Sequence, residues 1–88
     1  MIWKTKYTSE AYKQLRKMDK TAARRVESYV NELSSLNDPR QRGKALTGVF
    51  GGLRRYQVGD YRVICKIIDG ELTVIVIRIA HRSRAYRE

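Results

Sequence analysis

The stretch Leu53–Ala80, LRRYQVGDYRVICKIIDGELTVIVIRIA, holds the longest apolar runs in the chain, and its reading decides the fold. It divides into three strands: LRRYQV at Leu53–Val58, YRVICKII at Tyr61–Ile68 and ELTVIVIRIA at Glu71–Ala80. The dipeptides Gly59-Asp60 and Asp69-Gly70 separate them. Both suit two-residue hairpin turns, because Gly and Asp tolerate the positive φ that right-handed strand twist demands. In the first strand Arg54, Tyr56 and Val58 fall on one face, and Leu53, Arg55 and Gln57 on the other. The apolar set must meet another layer, which leaves Arg55 and Gln57 on the open side. The aliphatic stem of Arg54 then lies along the core edge. Arg62 alternates with Tyr61 and Val63 in the next strand. A β-bulge would invert any such assignment beyond it. The last strand, rich in Val and Ile, is expected to be central.

Upstream, Ile2–Tyr7 alternates apolar and polar residues and reads as a further strand. Thr8 or Ser9 can cap a helix in which Ala11, Leu15 and Met18 follow i, i+4, i+7 spacing. Asp19 or Thr21 can cap a second helix, with Ala22, Val26, Tyr29, Val30 and Leu33 as its apolar stripe. Pro39 disfavours helical dihedrals at Asp38 and ends it. From Arg40 to Gly52 the chain reads RQRGKALTGVFGG, an irregular segment anchored by Leu46 and Phe50. Its length marks it as a functional loop. The order β-α-α-β-β-β predicts an α+β fold, with two N-terminal helices packed on one face of a mostly antiparallel four-stranded sheet. Residues 1–88 form a single domain, since 88 residues leave no room for a second core.

Nineteen Lys and Arg against nine Asp and Glu give a net charge of +10. Such an excess concentrates polyanions around the chain and speeds encounter with them. Nucleic acid is the first candidate partner and an acidic protein the second. The apolar runs are too short to span a bilayer and no basic amphipathic helix carries large apolar anchors, so no membrane role is expected and the location reads as cytoplasmic. Cys65, the single cysteine, lies in an apolar run and reads as a buried, inert thiol. No Cys/His spacing suggests a metal, and no cofactor motif is present.

The basic residues gather at strand ends. GDYR brings Arg62 just after a hairpin turn, and AHRSRAYR places His81, Arg82, Arg84 and Tyr86 after the last strand. These motifs, with the GKALTG loop and the segment ending NDPR, resemble the RelE/ParE superfamily of small bacterial and archaeal toxins, specifically its RelE-like branch. The resemblance covers nearly the whole chain. It implies the toxin of a type II toxin–antitoxin module, which enters the ribosomal A site and cuts messenger RNA there. A cognate antitoxin protein would neutralise it, and the complex would bind operator DNA through that antitoxin.

The resemblance also implies site residues. Arg62 corresponds to a phosphate-contacting arginine, and Arg55 falls where the family carries a catalytic lysine. A second family lysine is Leu53 here, so either Arg54 or Lys44 substitutes or this branch works with fewer cations. Arg82 and Tyr86 match the arginine and tyrosine that follow the last strand, and His81 stands at a lysine position. Metal-free cleavage needs a base for the ribose 2′-OH, cations for the phosphorane and an acid for the departing 5′-oxygen. Arginine suits the cationic role, giving Arg62, Arg55 and Arg82 as catalytic candidates. Histidine is the side-chain type whose unperturbed pKa lies near neutrality, so His81 suits a base. Tyr86 can stack on a base, orient the 2′-OH or donate a proton. Arg40, Arg42, Lys44, Arg54 and Arg84 are candidate RNA or ribosome contacts. Two other readings stay open: a ParE-like inhibitor of DNA gyrase without nuclease activity, and an inactive remnant retained in a repressor complex.

Overall fold

The structure, a computed structural model, describes residues 3–83. Strand β1 (Lys4–Tyr7) leads into helices α1 (Ser9–Lys17) and α2 (Lys20–Ser35), followed by β2 (Lys44–Ala45), β3 (Leu53–Val58), β4 (Tyr61–Ile68) and β5 (Thr73–His81). The sheet order is β1-β5-β4-β3-β2. β1 runs parallel to β5, and every other pair is antiparallel. The expected class holds, two helices on a mostly antiparallel sheet, but with five strands rather than four. The extra strand is β2, inside the segment read as irregular. The last strand, expected to be central, lies between β1 and β4, one place from the middle, which β4 occupies.

Both helices begin where their caps predict. Thr8 Oγ1 accepts from Ala11 N–H at 3.1 Å, and Asp19 Oδ2 accepts from Thr21 and Ala22 N–H at 3.1 and 3.2 Å. Ala11 and Leu15 of α1 and Val26, Val30 and Leu33 of α2 are buried. They pack against Tyr56, Val58, Val63, Cys65, Val74, Val76 and Ile79 of the sheet, with Trp3 closing one end. Tyr56 is fully buried, and its hydroxyl donates to Pro39 O at 2.9 Å, tying the end of the helical layer to β3. Burial pushes the Cys65 thiol up to about 12, so it stays protonated and inert.

The two hairpins differ. Gly59-Asp60 is the expected two-residue turn, with Val58 opposite Tyr61 and Gly59 at φ 59°. The Asp69-Gly70 connection is longer than expected. Ile68 pairs with Thr73, and a 3-10 turn over Asp69–Glu71 is closed by Leu72 in the left-handed region at φ 49°. β5 therefore starts at Thr73 rather than Glu71 and runs through His81.

One irregularity governs the rest. Ile64 pairs with Arg78, yet Cys65 pairs with Val76, so Ile77 is an extra residue in β5. Val74 and Val76 point into the core before this bulge, and Ile79 after it. The added residue reverses the alternation. The bulge is also held from outside: Thr8 Oγ1 donates to Ile77 O at 3.0 Å, and Gln14 Oε1 accepts from Ile79 N–H at 2.7 Å.

Candidate functional site

The helices cover one side of the sheet. The other side takes every strand residue of opposite parity to the core set. Tyr56, Val58, Val63 and Cys65 are core, so Arg55, Gln57, Arg62, Ile64 and Lys66 lie on the open face, as the alternation predicts. The five strands together carry eight Lys or Arg and no Asp or Glu. Their acidic neighbours sit in helices and turns.

Arg62 stands opposite Gln57 on one side and Ala80 on the other. Its Nε donates to Gln57 Oε1 at 3.2 Å, and Gln57 Nε2 donates to Gly59 O at 2.7 Å. The amide thus couples the guanidinium to the hairpin turn. Arg55 is the next inward position of β3, opposite Ile64 and Lys44. Cross-strand partners share a face, so Lys44, Arg55 and Arg62 form one cationic group.

Lys44 and Arg54 were the two expected stand-ins for a cation at Leu53. Only Lys44 joins the open face. Arg54 lies on the helix-side parity, where its Nη2 donates to Arg42 O at 2.9 Å and Arg40 O at 3.3 Å. Arg40 forms a two-pronged pair with Asp69, at 3.0 and 2.7 Å, and also reaches Asp38 at 3.3 Å. Its guanidinium holds the Asp69 carboxyl below the usual carboxylate range. Arg42 donates to Glu32 at 2.9 Å and lies over the Tyr29 ring at 5.6 Å. Three residues expected to meet RNA are therefore engaged in pinning the 40–52 loop to α2, β3 and the β4–β5 turn.

His81 departs most from expectation. It pairs with Tyr61, and the two rings meet edge to face with centroids 5.6 Å apart. Tyr61 packs against the core from the helix side, so His81 faces the helices and turns its back on Arg62. Its Nδ1 lies 3.1 Å from Ser83 Oγ and accepts from Ser83 N–H at 3.4 Å. The cause is the bulge at Ile77: uninterrupted alternation would have put His81 on the open face and Arg78 in the core. The bulge exchanges them. Arg78, a residue that sequence reasoning passed over, takes the place opposite Ile64. Arg82 is exposed in the turn after β5, where its N–H donates to Asp60 O at 2.7 Å. Arg84 and Tyr86 lie outside the described residues.

Among the described residues no cluster of His, Cys, Asp and Glu could hold a metal ion, and no helix is long and apolar enough to cross a membrane. Among the described residues the open face offers mainly guanidinium and ammonium groups, which suit recognition and charge neutralisation of an anion such as phosphate.

Comparison with known proteins gives this geometry a context. A family model described as the ParE toxin of type II toxin–antitoxin system, parDE, matches residues 5–86. Toxin RelE of Mycobacterium tuberculosis is 41% identical over 81 residues, covering 91% of this chain and 81% of that protein. Toxin RelG of the same organism is 31% identical over 88 residues, covering 99% of each chain. Among solved structures, a chain of the M. tuberculosis toxin–antitoxin complex RelBE2 superimposes with a TM-score of 0.84 at 26% identity, over 94% of both chains.

Proposed function

This chain belongs to the RelE/ParE toxins of type II toxin–antitoxin systems, and from that premise we propose that it is an endoribonuclease that cuts messenger RNA in the ribosomal A site. The observation that carries the reading is the placement of Arg55 and Arg62, beside Lys44, on the open face of a sheet whose strands hold no carboxylate. A phosphodiester laid there meets a preorganised field of donors.

In the reaction the ribose 2′-oxygen attacks the adjacent phosphorus, and the bond from phosphorus to the 5′-oxygen breaks. The 2′-proton leaves to a base, the 5′-oxygen gains a proton, and a 2′,3′-cyclic phosphate remains. Arg62, held by Gln57, and Arg55 neutralise the charge that builds on the phosphorane oxygens. Arg82, on the turn beside Asp60, is placed to add a third guanidinium. Proton transfer falls to His81 at the end of β5, to Tyr86, which lies outside the described residues, or to the ribosome's own RNA. Positioning in the A site supplies much of the rate, so naked RNA is a poor substrate. A cognate antitoxin, as in the RelBE2 complex, keeps the toxin silent in the cytoplasm, and the complex binds operator DNA through the antitoxin.

The family model's description also names ParE, and His81 lies off the open face, so a gyrase inhibitor is the second reading. Programmed ribosomes with purified protein test the first against it. Cuts within the A-site codon, strongly reduced by Arg62→Ala, are expected. Intact message together with potent inhibition of gyrase supercoiling would establish the second reading instead.

A further inference from the structure

Arg78 carries an inference of its own. It stands opposite Ile64, which stands opposite Arg55, which stands opposite Lys44. These four residues make a single transverse row over β2–β5. With neighbouring strands about 4.8 Å apart, the row runs about 14 Å from Lys44 to Arg78.

Ile64 at the middle of the row is only 4% exposed, although it lies on the open face and outside the main core cluster. Its cross-strand neighbours on that face are Arg55 and Arg78. Arg78 Nε is buried and has no hydrogen-bond partner among the described residues. Orphaned buried donors are uncommon in native proteins. The bulge at Ile77 is what brings Arg78 to this face at all, and it is braced by Thr8 and Gln14 from a different layer.

We infer that Arg78 is a phosphate-binding residue, the far end of a track that takes an RNA backbone across the strands, from Lys44 through Arg55 to Arg78. The inference rests on the RNA-cleaving reading and adds the direction of the strand. Arg62, one register row nearer the hairpin, then acts beside the track at the scissile linkage. Arg78 holds a neighbouring phosphate.

The test is binding of a single-stranded RNA oligonucleotide, made uncleavable by 2′-deoxy substitution, to the purified toxin over a range of salt. Arg78→Met keeps an unbranched apolar stem at this position while removing the charge. Each lost phosphate contact to a single strand lowers the slope of log K against log salt by about 0.7. Arg78→Met is expected to show that loss, Arg78→Lys to restore the slope, and Lys13→Gln on α1 to leave it unchanged. An Arg78→Met slope equal to wild type overturns the inference, as does an equal loss in Lys13→Gln. Ribosomal cleavage by the wild-type protein is scored in parallel. If message is cut but the slope ignores Arg78, only the track fails. If message stays intact while the slope falls, the track stands and the nuclease reading fails.

Discussion

At the scale of single residues, the structure separates cations that face outward from cations that hold the fold. Arg62 belongs to the first group. Arg62→Ala is expected to lower the rate of ribosome-dependent cleavage by about 10²–10³, the usual cost of removing one preorganised transition-state donor. His81→Ala is expected to cost less, within about tenfold, because general acid–base help from a group on the far face is at the bottom of its range. Single-turnover cleavage on programmed ribosomes compares the two, and a larger loss for His81→Ala would move the chemistry to the end of β5. Tyr56, a neutral side chain, also holds the fold. Tyr56→Phe strands the carbonyl of Pro39 and is expected to lower stability by about 1–3 kcal/mol in urea unfolding.

At the scale of elements, what could be read from the sequence divides along physical lines. Both helices were legible because Ala11/Leu15 and Val26/Val30/Leu33 repeat at helical spacing behind acceptor caps. β3 and β4 were legible because LRRYQV and YRVICKII alternate on either side of a Gly-Asp turn. β2 was not: two residues show no period, and Lys44–Ala45 become a strand only by pairing with Arg54 and Arg55. The bulge was not, since TVIVIRI is apolar at both parities and an extra residue interrupts no pattern. That single blind spot explains why His81 faces the helices and why Arg78, overlooked in the sequence, takes the place opposite Ile64. Arg55 and Arg62 were placed correctly because nothing interrupts alternation in their strands.

β2 itself depends on Gly43, at φ 77°, where an added Cβ would come within 2.6 Å of Arg55 O and 2.7 Å of the Tyr56 ring. Gly43→Ala must therefore shift backbone as well as adopt a strained φ. We expect a stability loss of about 1–3 kcal/mol, together with faster amide exchange at Leu46, whose N–H donates to Leu53 O at 2.9 Å. Unchanged exchange and stability would mean that Lys44 is not held where the cationic row requires it.

At the scale of the whole molecule, two charge properties follow. Separation of acids from the sheet leaves one face strongly positive, so encounter with RNA should slow steeply with ionic strength. Buried acids of another kind set the pH response. Burial raises Cys65 from 9.0, and Tyr7 and Tyr56 from 10.0, each to about 12. The unfolded chain releases these protons near their ordinary values while the folded chain retains them. The stability they contribute is full below pH 9 and is lost as pH rises toward 12. The urea midpoint should therefore fall steadily above pH 9, and Cys65→Ala should flatten the first part of the decline. A midpoint independent of alkaline pH would contradict the burial of these groups.

The central claim is that the open, carboxylate-free face of the sheet embraces a scissile phosphodiester. End-group analysis of message recovered from toxin-treated ribosomes tests it most directly. The account predicts a 2′,3′-cyclic phosphate on the upstream fragment, produced by wild-type protein and nearly absent with Arg62→Ala. Intact message, or equal cleavage by wild type and Arg62→Ala, would contradict it.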